Sequence, residues 1–173
     1  MEVQRRTVER DPLSAVHTVV LSIALFADAQ YREAREWARR AQELSPGMSQ
    51  DLTFGWVALR TGNPEEALAH WERLPDRPPR IALTAIALNA LGRERESLGA
   101  LARLEREGPD ELLWIAGVRA WRGDLDGAFE VLDRAVHEKR AFLWAVKFEV
   151  LFRPLHGDPR FNDLLRRLNL PVN

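Results

Sequence analysis

The chain has no cysteine, so it carries neither a disulfide framework nor thiolate chemistry, and this suits the reducing environment of a cytoplasmic protein. Lysine is nearly missing: only Lys139 and Lys147 occur. The other cations are arginines interleaved with Glu and Asp, and they read as solvated helix faces. A formal net charge of -1 gives no general attraction to nucleic acid or to an anionic membrane. Four Ile and five Thr stand against abundant Ala, Leu, Glu and Arg, a balance that favours helix throughout. Long apolar runs are missing too. The strongest, Val19 to Ala27, is nine residues, against the ~20 needed to cross a bilayer. Arg5, Arg6 and Arg10 precede it as in a signal peptide, but Asp11-Pro12 intervenes and no small-residue cleavage pattern follows. An internal helix is therefore expected there, with neither membrane nor nucleic acid as partner.

Reactive groupings are equally scarce. His17, His70, His137 and His156 lie far apart in sequence with no HExxH-like ligand pair, and the glycines form no phosphate-cradling loop. Glu65 and Glu66 are adjacent, so on a helix they point about 100° apart; the positive helix start explains them. Arg166-Arg167 beside Leu164-Leu165 reads as the wet and dry sides of a closing helix. The expectation is a chain that is not an enzyme, with no catalytic residue, no cofactor and no metal.

What is present is a repeated turn. In Arg60-Thr61-Gly62-Asn63-Pro64-Glu65-Glu66-Ala67-Leu68, Gly62 ends one helix, Asn63 caps the next and Pro64 takes the first helical position. Arg122-Gly123-Asp124-Leu125-Asp126-Gly127-Ala128-Phe129 has the same grammar. Leu91-Gly92-Arg93-Glu94 is a looser copy, and Ala29-Gln30-Tyr31-Arg32 a copy without glycine. Helices are predicted at 13–28, 31–44, 49–60, 64–74, 80–91, 94–107, 110–122, 125–139 and 142–152, with a short last one after Asp158-Pro159. Pro75-Asp76-Arg77-Pro78-Pro79 is the stiffest connector.

The register can be counted. Pro12, Pro46, Pro79 and Pro109 close units at spacings of 34, 33 and 30; Ala34, Ala67, Ser97 and Ala128 follow the turns at 33, 30 and 31. A two-helix unit of about 34 residues resembles the tetratricopeptide repeat (TPR). Ala29 stands where that family has a turn glycine, and Ser97 and Leu104 where it has small residues. The resemblance implies an all-α, right-handed superhelical solenoid of about four hairpins with a C-terminal capping helix. Residues 1–12 would be the tail of a preceding partial repeat, 13–140 the repeats (13–46, 47–79, 80–109 and 110–140), and 141–173 the C-terminal helices and cap. Residues 147–168, containing Arg153-Pro154-Leu155-His156-Gly157-Asp158-Pro159-Arg160-Phe161, resemble the closing segment of bacterial TPR regions linked to cyclase, kinase or winged-helix domains. That resemblance implies the C-terminal part of a larger regulator.

The function expected from the resemblance is noncatalytic protein–protein interaction or scaffolding. The alternative is a ligand- or peptide-sensing domain that controls an attached output domain. In such solenoids the first helix of each pair lines a concave face, which implies a binding surface of Leu52, Trp56, Arg60, Ile86, Asn89, Leu113 and Trp121. Trp37, Trp71 and Trp114 are expected in the core. Some family members clamp a carboxylate with Lys and Asn. Here those places hold Val19, Leu52, Ala82 and Leu113, so a peptide with apolar anchors is the implied ligand. Finally, the helix at 13–28 is apolar nearly all round, more than one neighbouring hairpin covers. Self-association through Val16, Val20 and Ile23, giving a homodimer, is the expectation.

Overall fold

The computed structural model describes residues 2–172. Among them every regular element is helical, and no helix is long and apolar enough to cross a membrane. The chain divides into two compact units, Met1–Pro75 and Asp76–Asn173. The division falls in the proline-rich connector marked by the sequence.

The first unit holds α1 (Glu2–Arg10), α2 (Ala15–Ala27), α3 (Tyr31–Leu44), α4 (Asp51–Arg60) and α5 (Pro64–Trp71). α2 pairs with α3 and α4 with α5, while α1 packs on α2 and α3 on α4. The second unit holds α6 (Pro78–Ala90), α7 (Glu94–Glu107), α8 (Leu112–Trp121), α9 (Leu125–His137), two 3-10 segments, η1 (Leu143–Lys147) and η2 (Val150–Leu155), and α10 (Pro159–Arg167). Its pairs are α6 with α7 and α8 with α9; α8 also packs on α6 and on η2.

The four hairpins share one backbone device. Gly62, Gly92 and Gly123 are left-handed, at φ 82°, 71° and 84°, and Ala29 takes the same conformation at φ 59°. In each case the next residue donates its N–H back over the turn: Gln30 to Leu25, Asn63 to Ala58, Arg93 to Leu88 and Asp124 to Arg119, at 2.9–3.0 Å. This is the six-to-one bond that closes a helix end when a left-handed residue follows it. The predicted caps divide. Asp124 accepts from the Gly127 N–H at 3.0 Å and Asp158 from the Arg160 N–H at 2.9 Å. Asn63 does not cap α5; its amide donates instead to the Thr61 hydroxyl at 3.2 Å.

Close approach is achieved by small residues. Ala34, Ala38 and Ala41 on α3 and Ala128 and Ala135 on α9 are fully buried. A Cβ on Gly55 would stand 2.0 Å from the Trp71 indole nitrogen, and one on Gly117 2.2 Å from Leu151 Cγ. These glycines exist because a ring and a branched side chain occupy the space. Leu98 is 48% exposed, while Leu101 and Leu104 from the same helix are buried.

Several of the arginines on these solvated faces also tie neighbouring helices together. Arg5 pairs with Glu33 across α1 and α3, Arg35 with Glu66 across α3 and α5, Arg119 with Glu105 across α8 and α7, and Arg160 with Asp126 across α10 and α9. Such exposed pairs contribute little, so they set register more than stability. The predicted helix at 142–152 is the largest departure. Phe142 is left-handed at φ 63° and Glu149 is extended, so the segment becomes η1 and η2, with Pro154 inside η2.

Candidate interaction surfaces

The seven residues expected on one concave face divide between the units, Leu52, Trp56 and Arg60 in the first and Ile86, Asn89, Leu113 and Trp121 in the second. Their surroundings overturn part of that expectation. Trp56 is buried, its ring edge-on to Trp71 with centroids 5.0 Å apart, and Ile86 is buried within α6. Neither presents an anchor to a ligand. Trp121 is half-buried, and its indole N–H donates to the Leu151 carbonyl at 3.0 Å. Leu151 also covers Gly117, so the Gly117–Trp121 side of α8 is closed by η2. Asn89 is a tie between helices: its amide donates to the Trp121 carbonyl at 3.1 Å, and its oxygen faces Arg122. Leu113 is half-buried. Only Leu52 and Arg60 are exposed, and Arg60 donates to the Tyr31 hydroxyl at 3.1 Å. Trp71 is fully buried as expected, and Trp37 and Trp114 are half-buried.

The α2 residues fare differently. Val16, Val20 and Ile23 are 58%, 47% and 53% exposed, and Leu13 ahead of the helix is more so. Their spacing of three, four and three places them along one stripe. The opposite side carries Leu21, Leu25 and Phe26 into the core, and the buried Ser22 hydroxyl donates to the Ala34 carbonyl at 2.8 Å. α2 has no Asp, Glu, Lys or Arg to solvate the stripe. A large apolar stripe without charge is the usual mark of an interaction surface.

One polar cluster in the first unit invites a chemical reading. His70 Nδ1 lies 2.8 Å from Asp51 Oδ1, the Ser49 hydroxyl donates to Asp51 Oδ2 at 2.8 Å, and Arg73 reaches Asp51 at 3.4 Å. Glu66 stands 3.8 Å from His70 Nε2 and forms a two-pronged pair with Arg35. The order of contacts matters. In nucleophilic hydrolysis the histidine stands between hydroxyl and carboxylate so that it can take the hydroxyl proton. Here the carboxylate stands between Ser49 and His70, and the imidazole does not touch the hydroxyl. The cluster braces the start of α4 against α5. Among the described residues no group of three or more His, Cys, Asp or Glu is placed to hold a metal.

The cluster also predicts an acid response. Burial pushes the Asp51 carboxyl up, but the bonds from His70 and Ser49 and the charges of His70 and Arg73 outweigh it, leaving the group below its ordinary value. The bond from Arg35 lowers Glu66 most; burial opposes it, and the charges of Arg35 and His70 leave the group below its ordinary value. A carboxyl depressed in the folded state contributes stability above its unfolded pKa and loses it as pH falls through the folded value. The melting temperature should therefore drop on acidification below roughly pH 4. Asp51→Asn should be less stable than the parent at neutral pH and show a shallower acid slope. Superimposable slopes would remove Asp51 as a contributor.

The sequence reading passed over a third surface. Phe142, Trp144 and Phe148 are 68%, 57% and 67% exposed within seven residues of the second unit. The available signal was that both lysines of the chain lie in the same short stretch as these rings. No family model, no curated protein and no solved structure matches the chain.

Proposed function

We propose that the chain is a noncatalytic protein-interaction module of the tetratricopeptide-repeat type, a right-handed solenoid of about four hairpins with a C-terminal capping helix. The carrying observation is the recurrence of one closed turn, whose accepting carbonyls at Leu25, Ala58, Leu88 and Arg119 follow one another at 33, 30 and 31 residues. A stack of such units is stabilised by neighbouring hairpins and leaves outer faces free for partners. The resemblance of residues 147–168 to the end of bacterial regulator regions supports a scaffolding or regulatory role within a larger cytoplasmic protein. Burial of Trp56 and Ile86 removes two apolar anchors from the expected concave face. The exposed stripe of α2 and the exposed rings Phe142, Trp144 and Phe148 are the apolar surfaces that support the interaction reading. Affinity capture from a bacterial lysate tests it. The parent chain should retain at least one protein that surface variants of α2 or of the Phe142–Trp144–Phe148 patch lose; a chain that retains none would sink the reading.

Self-association belongs to the same proposal. Two α2 stripes laid antiparallel would cover Val16, Val20 and Ile23 on both copies with no like charges opposed along α2. Sedimentation at tens of micromolar should show a concentration-dependent dimer. Val20→Glu or Ile23→Glu should leave a monomer with the parental melting temperature, because both side chains are about half exposed in the single chain. A parent that stays monomeric at that concentration excludes this dimer.

A further inference from the structure

The exposed aromatic surface of the second unit is built, not left over. Phe142 is held left-handed at φ 63°, a conformation that bulky side chains seldom adopt and that stores strain. Its carbonyl accepts the Ala145 N–H at 2.9 Å, and Ala145 in turn accepts from Phe148 and Glu149 at 2.9 Å, so the short segment is internally closed. Val146 is fully buried and fixes η1 to the unit, while Trp144 and Phe148 stand outward four residues apart. Among the described residues, none of the three rings is in contact with another aromatic ring. Lys147 donates to the Pro171 carbonyl at 2.7 Å, which brings the C-terminal strand of chain and the exposed Val172 to the same segment.

Charge around these rings is unbalanced. Lys147 Nζ lies 5.9 Å from the Phe148 ring centroid, Lys139 is three residues before Phe142, and Arg153 is five after Phe148. None of the three cations forms an ion pair with the described residues, although most arginines of the chain do. Glu149 is the one carboxylate in the stretch from Lys139 to Arg153. Arg140 is already neutralised by Asp110 and Glu138. Along the chain, three cations against one carboxylate give the aromatic segment a net positive charge, with Lys147 placed beside Phe148. Such a charge favours a partner of opposite sign by steering and by register.

We propose that this surface binds a short acidic segment of another protein, with two or three large apolar anchors flanked by Asp or Glu. Aromatic anchors are the residues on which interface energy concentrates. The size favours a peptide over a folded second copy: three rings a little over half exposed present roughly 300–450 Å², about half of what one side of a standard protein interface covers. An anionic membrane is disfavoured by Glu149, exposed directly after Phe148, which insertion of that ring would press against lipid phosphates. A peptide can set a cation or a donor there.

The test is a selection of random dodecapeptides displayed on phage against the full chain, counter-selected against a Phe142→Ser/Trp144→Ser/Phe148→Ser variant shown by circular dichroism to melt like the parent. Enriched peptides should carry apolar anchors among acidic residues. A synthetic copy of one should bind at micromolar concentration, at least tenfold more weakly to the serine variant, and several-fold more weakly to Lys139→Glu/Arg153→Glu. Binding should weaken with salt. The inference is overturned if no peptide is enriched over the counter-selection, or if the enriched peptides lack acidic residues. It is likewise overturned if the patch variants lose only cosedimentation with anionic phosphatidylserine vesicles, which would make the surface a lipid contact. Loss of dimer alone in these variants would assign the surface to a second copy and overturn it too.

Discussion

Trp71→Ala is expected to lower the stability of the first unit by ~3–5 kcal/mol, the range for emptying the space of a large buried aromatic. Trp71 is fully buried, meets the edge of Trp56 at 5.0 Å, and points its indole nitrogen at the Leu52 carbonyl 3.4 Å away. Removing it leaves a void between α4 and α5 at Gly55, which has no side chain to fill it. Trp56→Ala should fall in the same range, and here the outcome separates two roles. A groove tryptophan would leave melting unchanged and remove a partner; a core tryptophan lowers the melting temperature whether or not a partner exists. Gly55→Ala should cost ~1–3 kcal/mol by the opposite route, overpacking against the same ring. Unfolding of a chain made of separate units need not be all-or-none, so these effects are best read by hydrogen exchange at α4 and α5. Variants that exchange like the parent would refute the packing described.

The second large effect concerns the C-terminal segment. Phe152→Ala should cost ~3–5 kcal/mol, since Phe152 is 1% exposed and belongs to η2, which packs on α8. Neighbouring Leu151 fills the hollow over Gly117, so Gly117→Ala should push η2 off α8 with a smaller loss of ~1–3 kcal/mol. The two variants share a readout that a merely local defect would not produce. Residues 140–158 should become sensitive to limited proteolysis under conditions where the parent resists, because 3-10 segments have few internal bonds and depend on packing. Cleavage at the same rate in parent and variants would show that η2 is held by something other than Leu151 and Phe152. The Trp121 indole bond to the Leu151 carbonyl would be lost as well.

The hairpins were readable from residue order because their signals are local. A left-handed position, a proline in the first helical turn and an acidic helix start act within a few residues. α3 and α7 accordingly have the bounds expected from the pattern, and Ala29 stands in for glycine at the one turn without it. The surplus apolar surface of α2 was visible for the same reason, and the structure leaves Val16, Val20 and Ile23 as its exposed part. Which tryptophan packs and which faces outward was not local. The first helix of each pair is apolar on several sides, and only the neighbours that arrive from distant sequence decide which side is covered. Trp71 arriving from α5 encloses Trp56, and Leu151 arriving from η2 closes Gly117 and ties down Trp121. The aromatic surface at Phe142, Trp144 and Phe148 escaped notice because a regular helix over 142–152 was expected there. A single left-handed residue and an extended Glu149 break that helix into 3-10 turns, and tertiary anchoring by Val146 and Phe152 keeps them so. Sequence alone thus determined the paired helices and the spacing of the turns between them, through contacts a few residues long. The assignment of each face to core or to solvent was decided by burial against elements tens of residues away, a competition among apolar surfaces that no local pattern encodes.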